Sequence, residues 1–182
     1  MRRLDADLAT AVPTGSQDSD PTGVRRAAHR PAPTLAHVLR IPREVVDAMV
    51  AHAKRDHPDE ACGVVAGPEG SDRPERFVPM LNAASSPTFY EFDPTDLLRL
   101  YREMDDRGEE PVVVYHSHTA TEAYPSRTDV NLAMEPLAHY VLVSTREHGN
   151  SDGPVELRSY RIVDGVVTEE DVVVEAANQT GV

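Results

Sequence analysis

Val112-Val113-Val114-Tyr115-His116-Ser117-His118 is a continuous apolar run that ends in two alternate histidines. Such a run is typical of a central strand that is covered on both faces, so residues 111–116 are predicted to form one. Because side chains alternate between the two faces of a strand, His116 and His118 are expected to point the same way. The sequence therefore predicts a buried strand that delivers two imidazoles to one face at its end.

The segments around this strand alternate between helical and extended patterns. A first helix is predicted from Pro42 until just before Pro58, where the proline disfavours helical angles in the preceding residue. Two more helices are predicted over residues 94–108 and 127–135, and further strands over residues 61–67, 76–81, 88–92 and 138–145. A hairpin is predicted from residues 156–163 and 166–174 around Asp164-Gly165. This order predicts an α/β fold with a mixed β-sheet flanked by helices.

The ends of the chain differ in composition from its middle. Residues 1–35 are polar, rich in Pro, Gly, Ser, Asp and Arg, and show no apolar period. Such a segment cannot bury enough surface to offset the entropy cost of ordering it. We therefore predict a disordered N-terminal tail over residues 1–35, one globular domain over residues 36–175, and a flexible C-terminus over residues 176–182.

Charge and cysteine content exclude several classes of function. The formal net charge is −13 at pH 7, which disfavours binding to nucleic acid and to anionic membrane surfaces. No apolar stretch is long enough for a bilayer span, and no apolar block follows the first residues as in a secretory signal. The single cysteine, Cys62, rules out an internal disulfide and fits a reducing compartment, so a cytoplasmic location is expected.

A third metal-ligand candidate follows the two histidines. A loop leads from His118 to Ser126 and Asp129, where a helix is predicted to begin, and this turn can return the Asp129 carboxylate to the same point. Two imidazoles and one carboxylate form a catalytic rather than a structural zinc site, because a fourth position remains for water. Glu60 is our candidate for the general acid and base, and Ser126 for a donor to an oxyanion.

Each of these residues also has an ordinary structural interpretation. His-x-His at a strand end is a common chance pair, and Ser-x-x-Asp before a helix is an ordinary capping signature. Glu60 alone would most often be a solvated carboxylate or part of a structural ion pair. Cys62 is interpreted as a small core residue, because it lies in an apolar strand without a basic neighbour.

Taken together, the pattern resembles the signature of the JAMM (MPN+) metalloproteases. Glu60 is followed by His116-x-His118 and, after seven residues, by Ser126-x-x-Asp129. The resemblance implies that the two histidines and the aspartate bind one Zn²⁺ per chain, that the glutamate is the general base, and that the serine supports the oxyanion. It also implies a single JAMM/MPN domain with a cytidine-deaminase-like architecture.

Within that family, residues 41–174 are similar to the Mec-type hydrolases of actinobacteria. Those enzymes share Thr119 after the second histidine, where many JAMM enzymes have proline. The similarity implies hydrolysis of the amide that joins cysteine to the C-terminal glycine of a small ubiquitin-like sulfur-carrier protein ending in Gly-Gly. This reaction would release L-cysteine in cysteine biosynthesis. Phe89, Tyr90 and Thr121 are candidates to flank the approach of the carrier tail.

Other functions remain open on the sequence alone. One is a JAMM peptidase that trims a different ubiquitin-like carrier tail, and another is a non-catalytic MPN scaffold that only binds partners. A zinc deaminase is excluded, because its Pro-Cys-x-x-Cys ligand pair needs two cysteines. The sequence is compatible with a homodimer but does not establish one.

Overall fold

The computed structural model describes residues 38–176, in which seven strands and three helices follow one another along the chain. The predicted tail over residues 1–35 lies outside the described residues, as does the predicted flexible C-terminus except for residue 176. The elements are β1 (Val38–Pro42), α1 (Arg43–Asp56), β2 (Cys62–Pro68), β3 (Arg76–Met80), α2 (Pro94–Arg107), β4 (Glu109–His118), α3 (Arg127–Leu132), β5 (His139–Ser144), β6 (Glu156–Val163) and β7 (Val166–Glu175).

All seven strands belong to one mixed sheet with the order β1-β7-β6-β5-β4-β2-β3. Strands β1 and β7 are parallel, as are β4 and β5, and the remaining neighbours are antiparallel. Strand β4 therefore lies in the interior of the sheet, between β2 and β5. This arrangement confirms the predicted α/β fold with a mixed sheet.

The two longer helices cover opposite faces of the sheet. Met49 and Ala53 of α1 pack in one buried cluster with Val113 and Tyr115 of β4. Val114, the intervening residue of β4, belongs to a cluster with β5 and β6 on the other face. On that face Leu100 and Met104 of α2 pack with Cys62, Val64 and Ala66 of β2. Each Val, Leu or Met side chain among them contributes about 1.5–3 kcal/mol when it is fully buried. The alternation along β4 thus places the histidines on the face that α2 covers in part.

Local signals explain where α2 begins and ends. Asp93 is its N-cap, with Oδ1 accepting hydrogen bonds from the main-chain N–H groups of Thr95 (2.9 Å) and Asp96 (3.0 Å). Gly108 ends the helix in the left-handed conformation at φ 63°, which glycine adopts without a steric penalty. The helix bounds predicted from the sequence are confirmed here.

Three predictions of secondary structure need correction, and one strand was not predicted. This strand, β1, pairs with β7, the last strand between residues 38 and 176. Residues 88–92, predicted as a strand, form a loop with a single bridge between Asn82 and Phe92. Strand β4 extends beyond the predicted residues 111–116 at both ends. Helix α3 ends at Leu132 rather than at residue 135, since Ala133 is already extended.

Between residues 38 and 176, no helix has the length and apolar character needed to cross a bilayer.

Candidate active site

The two histidines of β4 present their Nε2 atoms to each other at the carboxyl end of the strand. The two Nε2 atoms lie 3.2 Å apart, and both side chains are almost fully buried. The ring of His116 stacks on Tyr90, with a centroid distance of 4.5 Å. Nδ1 of His118 lies 2.8 Å from the carbonyl oxygen of Glu122 and 3.0 Å from Oγ1 of Thr121. A hydrogen on this Nδ1 is donated to that carbonyl, which leaves a lone pair on Nε2.

The start of helix α3 brings Asp129 to the same place. Ser126 is the N-cap, and its Oγ accepts a hydrogen bond from the main-chain N–H of Asp129 at 3.2 Å. In return the main-chain N–H of Ser126 donates to Oδ2 of Asp129 at 2.6 Å. This reciprocal pair is a capping box. It fixes the carboxylate so that Oδ2 lies 3.4 Å from Nε2 of His116 and 3.5 Å from Nε2 of His118.

The spacing of these three atoms fits a tetrahedral metal ion. A zinc ion with bonds of about 2.0–2.1 Å holds neighbouring ligand atoms about 3.3–3.4 Å apart. The three separations here are 3.2, 3.4 and 3.5 Å. Among the residues that the structure describes, one group of His, Cys, Asp or Glu side chains could hold a metal ion, and it consists of His116, His118 and Asp129. The donor set is one that could hold a divalent transition-metal ion.

Charges within the triad favour a cation. Burial lowers the pKa of His116, which keeps its imidazole neutral. Burial acts on the pKa of His118 in the same direction, but the Asp129 carboxylate and the Glu122 carbonyl outweigh it and raise that pKa. Burial would raise the pKa of Asp129, whereas the hydrogen bonds with both histidines hold it well below its usual range. An ionised carboxylate and a raised histidine pKa both mean that the triad favours a positive charge, which a divalent cation would supply.

Glu60 lies just before β2, near the end of β4 that carries the histidines. Cys62 is the register partner of His116 in the antiparallel pair of β2 and β4, and the main-chain N–H of Ser117 donates to the carbonyl of Ala61 at 2.8 Å, so the two chains still run side by side next to Glu60. The Glu60 side chain is buried, with 5% of the residue exposed. Burial raises its pKa to about 7, the charge of His118 counteracts this rise, and the charge of Asp129 adds to it. A carboxyl group with this pKa is half-ionised near neutrality.

Ser126 is exposed and serves first as the helix cap. Its oxygen accepts the hydrogen bond from Asp129, so its hydroxyl hydrogen is available to another acceptor. The capping interpretation of Ser-x-x-Asp is therefore correct, and it is compatible with a second role at the site. Cys62 is fully buried, and burial raises the pKa of its thiol to about 12, as expected for a core residue.

The structure also shows contacts that the sequence did not indicate. Tyr90, expected only to flank the approach, stacks on His116, and Thr121 contacts His118 directly. Phe89 lines an apolar cavity of about 460 Å³ beside Tyr90. Asn82 ties the main chain of Glu60 to the loop that carries Tyr90. Bonds from a side chain to distant main-chain groups have no periodic signature, so pattern analysis could not find Asn82.

Two buried imidazoles and a carboxylate around one point, with a second carboxyl group beside them, belong to the class of metal-dependent hydrolase sites. The chain belongs to the family of prokaryotic homologues of the JAB domain, whose sequence model matches residues 42–163. This match confirms the resemblance to the JAMM/MPN proteins.

Individual relatives agree with this assignment. The chain is 68% identical over 136 residues to the "CysO-cysteine peptidase" of Mycobacterium tuberculosis, covering 75% of this chain and 90% of that protein. It is 35% identical over 97 residues to the "Probable TtuB-protein conjugate cleaving protease" of Thermus thermophilus, covering 53% of this chain and 64% of that protein. Among solved structures, protein DSY2949 from Desulfitobacterium hafniense matches with a TM-score of 0.66 and 29% identity, covering 79% of this chain and 96% of that one.

Proposed function

We propose that this protein is a zinc-dependent JAMM-type peptidase that hydrolyses the amide between the C-terminal glycine of a ubiquitin-like sulfur-carrier protein and cysteine. The products are the free carrier and L-cysteine, as in cysteine biosynthesis. The observation that carries the proposal is the convergence of Nε2 of His116, Nε2 of His118 and Oδ2 of Asp129 within 3.5 Å of one another. The 68% identity to a CysO-cysteine peptidase supports the choice of substrate.

We assign His116, His118 and Asp129 as the ligands of one zinc ion per chain. Bound there, zinc would supply Lewis-acid polarisation of the scissile carbonyl and activation of a water molecule. The chain contributes the orientation of its ligands. The Glu122 carbonyl fixes the ring of His118, and the Ser126 N–H fixes the carboxylate of Asp129. Loss of such a contact typically costs about 10- to 100-fold in metal affinity or activity.

Glu60 moves the proton in this scheme. Its pKa of about 7 lets the ionised form accept a proton from the attacking water, and the protonated form then gives that proton to the departing cysteine amine. A carboxyl group of ordinary pKa would be a weaker base and a poor acid at neutral pH. The burial that raises the pKa of Glu60 is therefore part of the proposed chemistry.

Ser126 is assigned to the oxyanion that forms on the carrier glycine. Its hydroxyl hydrogen is not used by the helix cap, because the cap uses the oxygen as an acceptor. A hydrogen bond to the developing negative charge lowers the barrier more than one to the neutral carbonyl of the substrate. Phe89, Tyr90 and Thr121 lie beside or in contact with the histidines or the adjoining cavity, and we assign them to the path of the carrier tail.

A direct test uses the purified protein and a carrier–cysteine adduct. The mass of the carrier is followed with time, and we expect it to fall by one cysteine residue. A strong chelator and the substitution Glu60→Gln should each abolish this loss, and added zinc should restore the chelated enzyme. Glu69→Gln removes an exposed carboxylate elsewhere and is the matched control. Turnover that survives both treatments would rule out the scheme.

A second candidate is cleavage of carrier–protein conjugates, because the relative from Thermus thermophilus is named as a probable conjugate-cleaving protease. The same catalytic residues would then act on an isopeptide bond to a lysine rather than on the amide of a free cysteine. Offering the carrier–cysteine adduct and a carrier–lysine conjugate side by side separates the two, and we expect the cysteine adduct to be the faster substrate.

A non-catalytic scaffold would lack bound zinc, so elemental analysis separates it from the enzyme. We further propose that the partner carrier ends in Gly-Gly, because two residues without side chains pass most easily through a narrow approach to the metal. A cytoplasmic location and a homodimer complete the proposal. Their tests are cell fractionation and light scattering of the purified chain.

A further inference from the structure

Asn82, the second residue after β3, bonds only main-chain groups through its side chain. Nδ2 donates to the carbonyl oxygens of Glu60 (2.9 Å) and Phe89 (3.0 Å). Oδ1 accepts from the N–H groups of Ala84 (3.0 Å) and Glu91 (3.1 Å). A carboxamide has two hydrogens to donate and two lone pairs to accept with. All four are used, and only 6% of the residue is exposed.

These bonds close a loop, residues 83–91, onto the candidate active site. Besides the contact with Asn82, the main-chain N–H of Glu60 donates to the carbonyl of Ser86 at 2.9 Å. On the other side of the site, Oγ1 of Thr119 donates to the carbonyl of Pro87 at 2.8 Å. The 83–91 loop is thus fastened both to the residue that carries the proposed general base and to the residue that follows His118.

The same loop carries the aromatic ring that supports His116. Tyr90 stands between Phe89 and Glu91, the two residues whose main chain Asn82 holds, and stacks on His116 at an interplanar angle of 22°. One buried amide therefore joins the main chain at Glu60 to the main chain on both sides of Tyr90. Within residues 38–176, the side-chain hydrogen bonds of Asn82 go to main-chain groups and not to a proposed metal ligand.

We propose that Asn82 is a positioning residue for the hydrolysis: it holds the main chain of Glu60 and the Tyr90 loop in one fixed arrangement, and so sets where the Glu60 carboxyl group lies relative to the histidine pair. This inference rests on the proposed peptidase function. Asn82 touches no reacting atom and acts through Glu60 and Tyr90. The effect of removing it is therefore expected mainly in the chemical step, with a smaller effect on binding of the carrier through Phe89 and Tyr90.

Two substitutions separate the parts of this role. Asn82→Ala removes all four hydrogen bonds. Asn82→Asp keeps the size of the side chain and the acceptor for Ala84 and Glu91, but it presents an oxygen instead of a donor to the carbonyls of Glu60 and Phe89. If the bond to Glu60 matters, the aspartate variant should be impaired although it fills the same space.

Kinetics of the folded, zinc-loaded variants form the first measurement. We expect kcat to fall about 10- to 100-fold in both variants, the size of loss that a small misplacement of a catalytic group causes, with KM changed by a smaller factor because the loop also carries Phe89 and Tyr90. Ser159→Ala is the control: it removes a buried hydrogen bond from Ser159 of β6 to Glu170 of β7, away from the loop. A kcat within about twofold of the parent in both Asn82 variants, or an equal loss in Ser159→Ala, would overturn the inference.

A milder substitution and a measurement that does not depend on enzymatic activity complete the test. Thr119→Val cuts the other side-chain anchor of the loop with little change in shape, so it remains informative if Asn82→Ala fails to fold. In amide hydrogen exchange, Asn82→Asp should speed exchange at Glu60 and through the 83–91 loop while β5 stays protected. Unchanged exchange there refutes the inference. If the parent does not cleave the adduct, the proposed function fails, and the exchange result still decides whether Asn82 holds these segments.

Discussion

Replacing Glu60 with glutamine should make the stability of the metal-free protein respond differently to pH. The substitution keeps the shape of the side chain and removes its titration. In the folded protein, burial raises the pKa of Glu60 from an ordinary value of 4.5 to about 7. The folded state therefore holds this proton more tightly than the unfolded state does. Stability from the protonated carboxyl is fully present below about pH 4.5 and is lost as the pH rises through about 7.

The size of the effect follows from the difference between the two pKa values. A rise from 4.5 to about 7 corresponds to at most about 3 kcal/mol of unfolding free energy. Relaxation of the site and entry of water reduce this value, and we expect about 2 kcal/mol between about pH 5 and about pH 8. Over that range the parent should lose this much stability relative to Glu60→Gln.

Urea unfolding followed by circular dichroism provides the assay, because the chain contains no tryptophan for fluorescence. The protein is kept metal-free with a chelator, since a bound cation would change the local electrostatics. Glu69→Gln, at an exposed carboxylate, controls for the loss of one negative charge. If the stabilities of the parent and Glu60→Gln run parallel from about pH 5 to about pH 8, the burial of a titrating carboxyl at this site is refuted.

Substitutions at three further positions test separate parts of the structure. Ser126→Ala should cost about 1 kcal/mol in urea unfolding through loss of the helix cap, whereas Ser126→Asp should keep the cap, because a carboxylate accepts the same hydrogen bond. An ionised aspartate has no hydrogen to donate, so both variants should lower kcat, by up to about 10²-fold. Full activity in Ser126→Asp would refute the oxyanion role. Cys62→Ala should keep the kcat of the parent. Burial raises the pKa of the Cys62 thiol to about 12, so the parent protein should resist alkylation at neutral pH. Rapid labelling of Cys62, followed by mass spectrometry, would contradict this. Gly67→Ala should lower stability by about 1–3 kcal/mol or more, because the added Cβ would lie 2.0 Å from the carbonyl oxygen of Arg73. Thermal unfolding measures this loss, and an unchanged melting temperature would show that the turn near Arg73 can move.

Much of the fold could be predicted from the sequence because its signals are local. The apolar run of β4, the cap and glycine that bound α2, and the Asp164-Gly165 turn each act over a few residues. Strand β1 was missed because its partner, β7, lies at the other end of the chain, and pairing at such a distance leaves no local pattern. Residues 88–92 alternate like a strand, yet Tyr90 packs on His116 and only Phe92 forms a bridge.

For the candidate site, the spacing of residues along the sequence predicted part of the arrangement. The common face of His116 and His118 follows from strand alternation, and the return of Asp129 follows from the turn at Ser126. Glu60 lies more than fifty residues before the histidines, so its approach to the triad depends on the antiparallel pairing of β2 with β4. Its residue type and the family signature made it a candidate, but neither gives its position in space. Asn82 was beyond pattern analysis, because its bonds go to main-chain groups that any residue could supply.

The central claim is that His116, His118 and Asp129 bind a single zinc ion. A crystal structure of the zinc-loaded protein with anomalous scattering at the zinc edge measures this. We predict one anomalous peak per chain at the carboxyl end of β4, within about 2.0–2.2 Å of Nε2 of both histidines and of the Asp129 carboxylate. A zinc ion bound elsewhere, or an Asp129 carboxylate outside bonding distance of the ion, would contradict the claim.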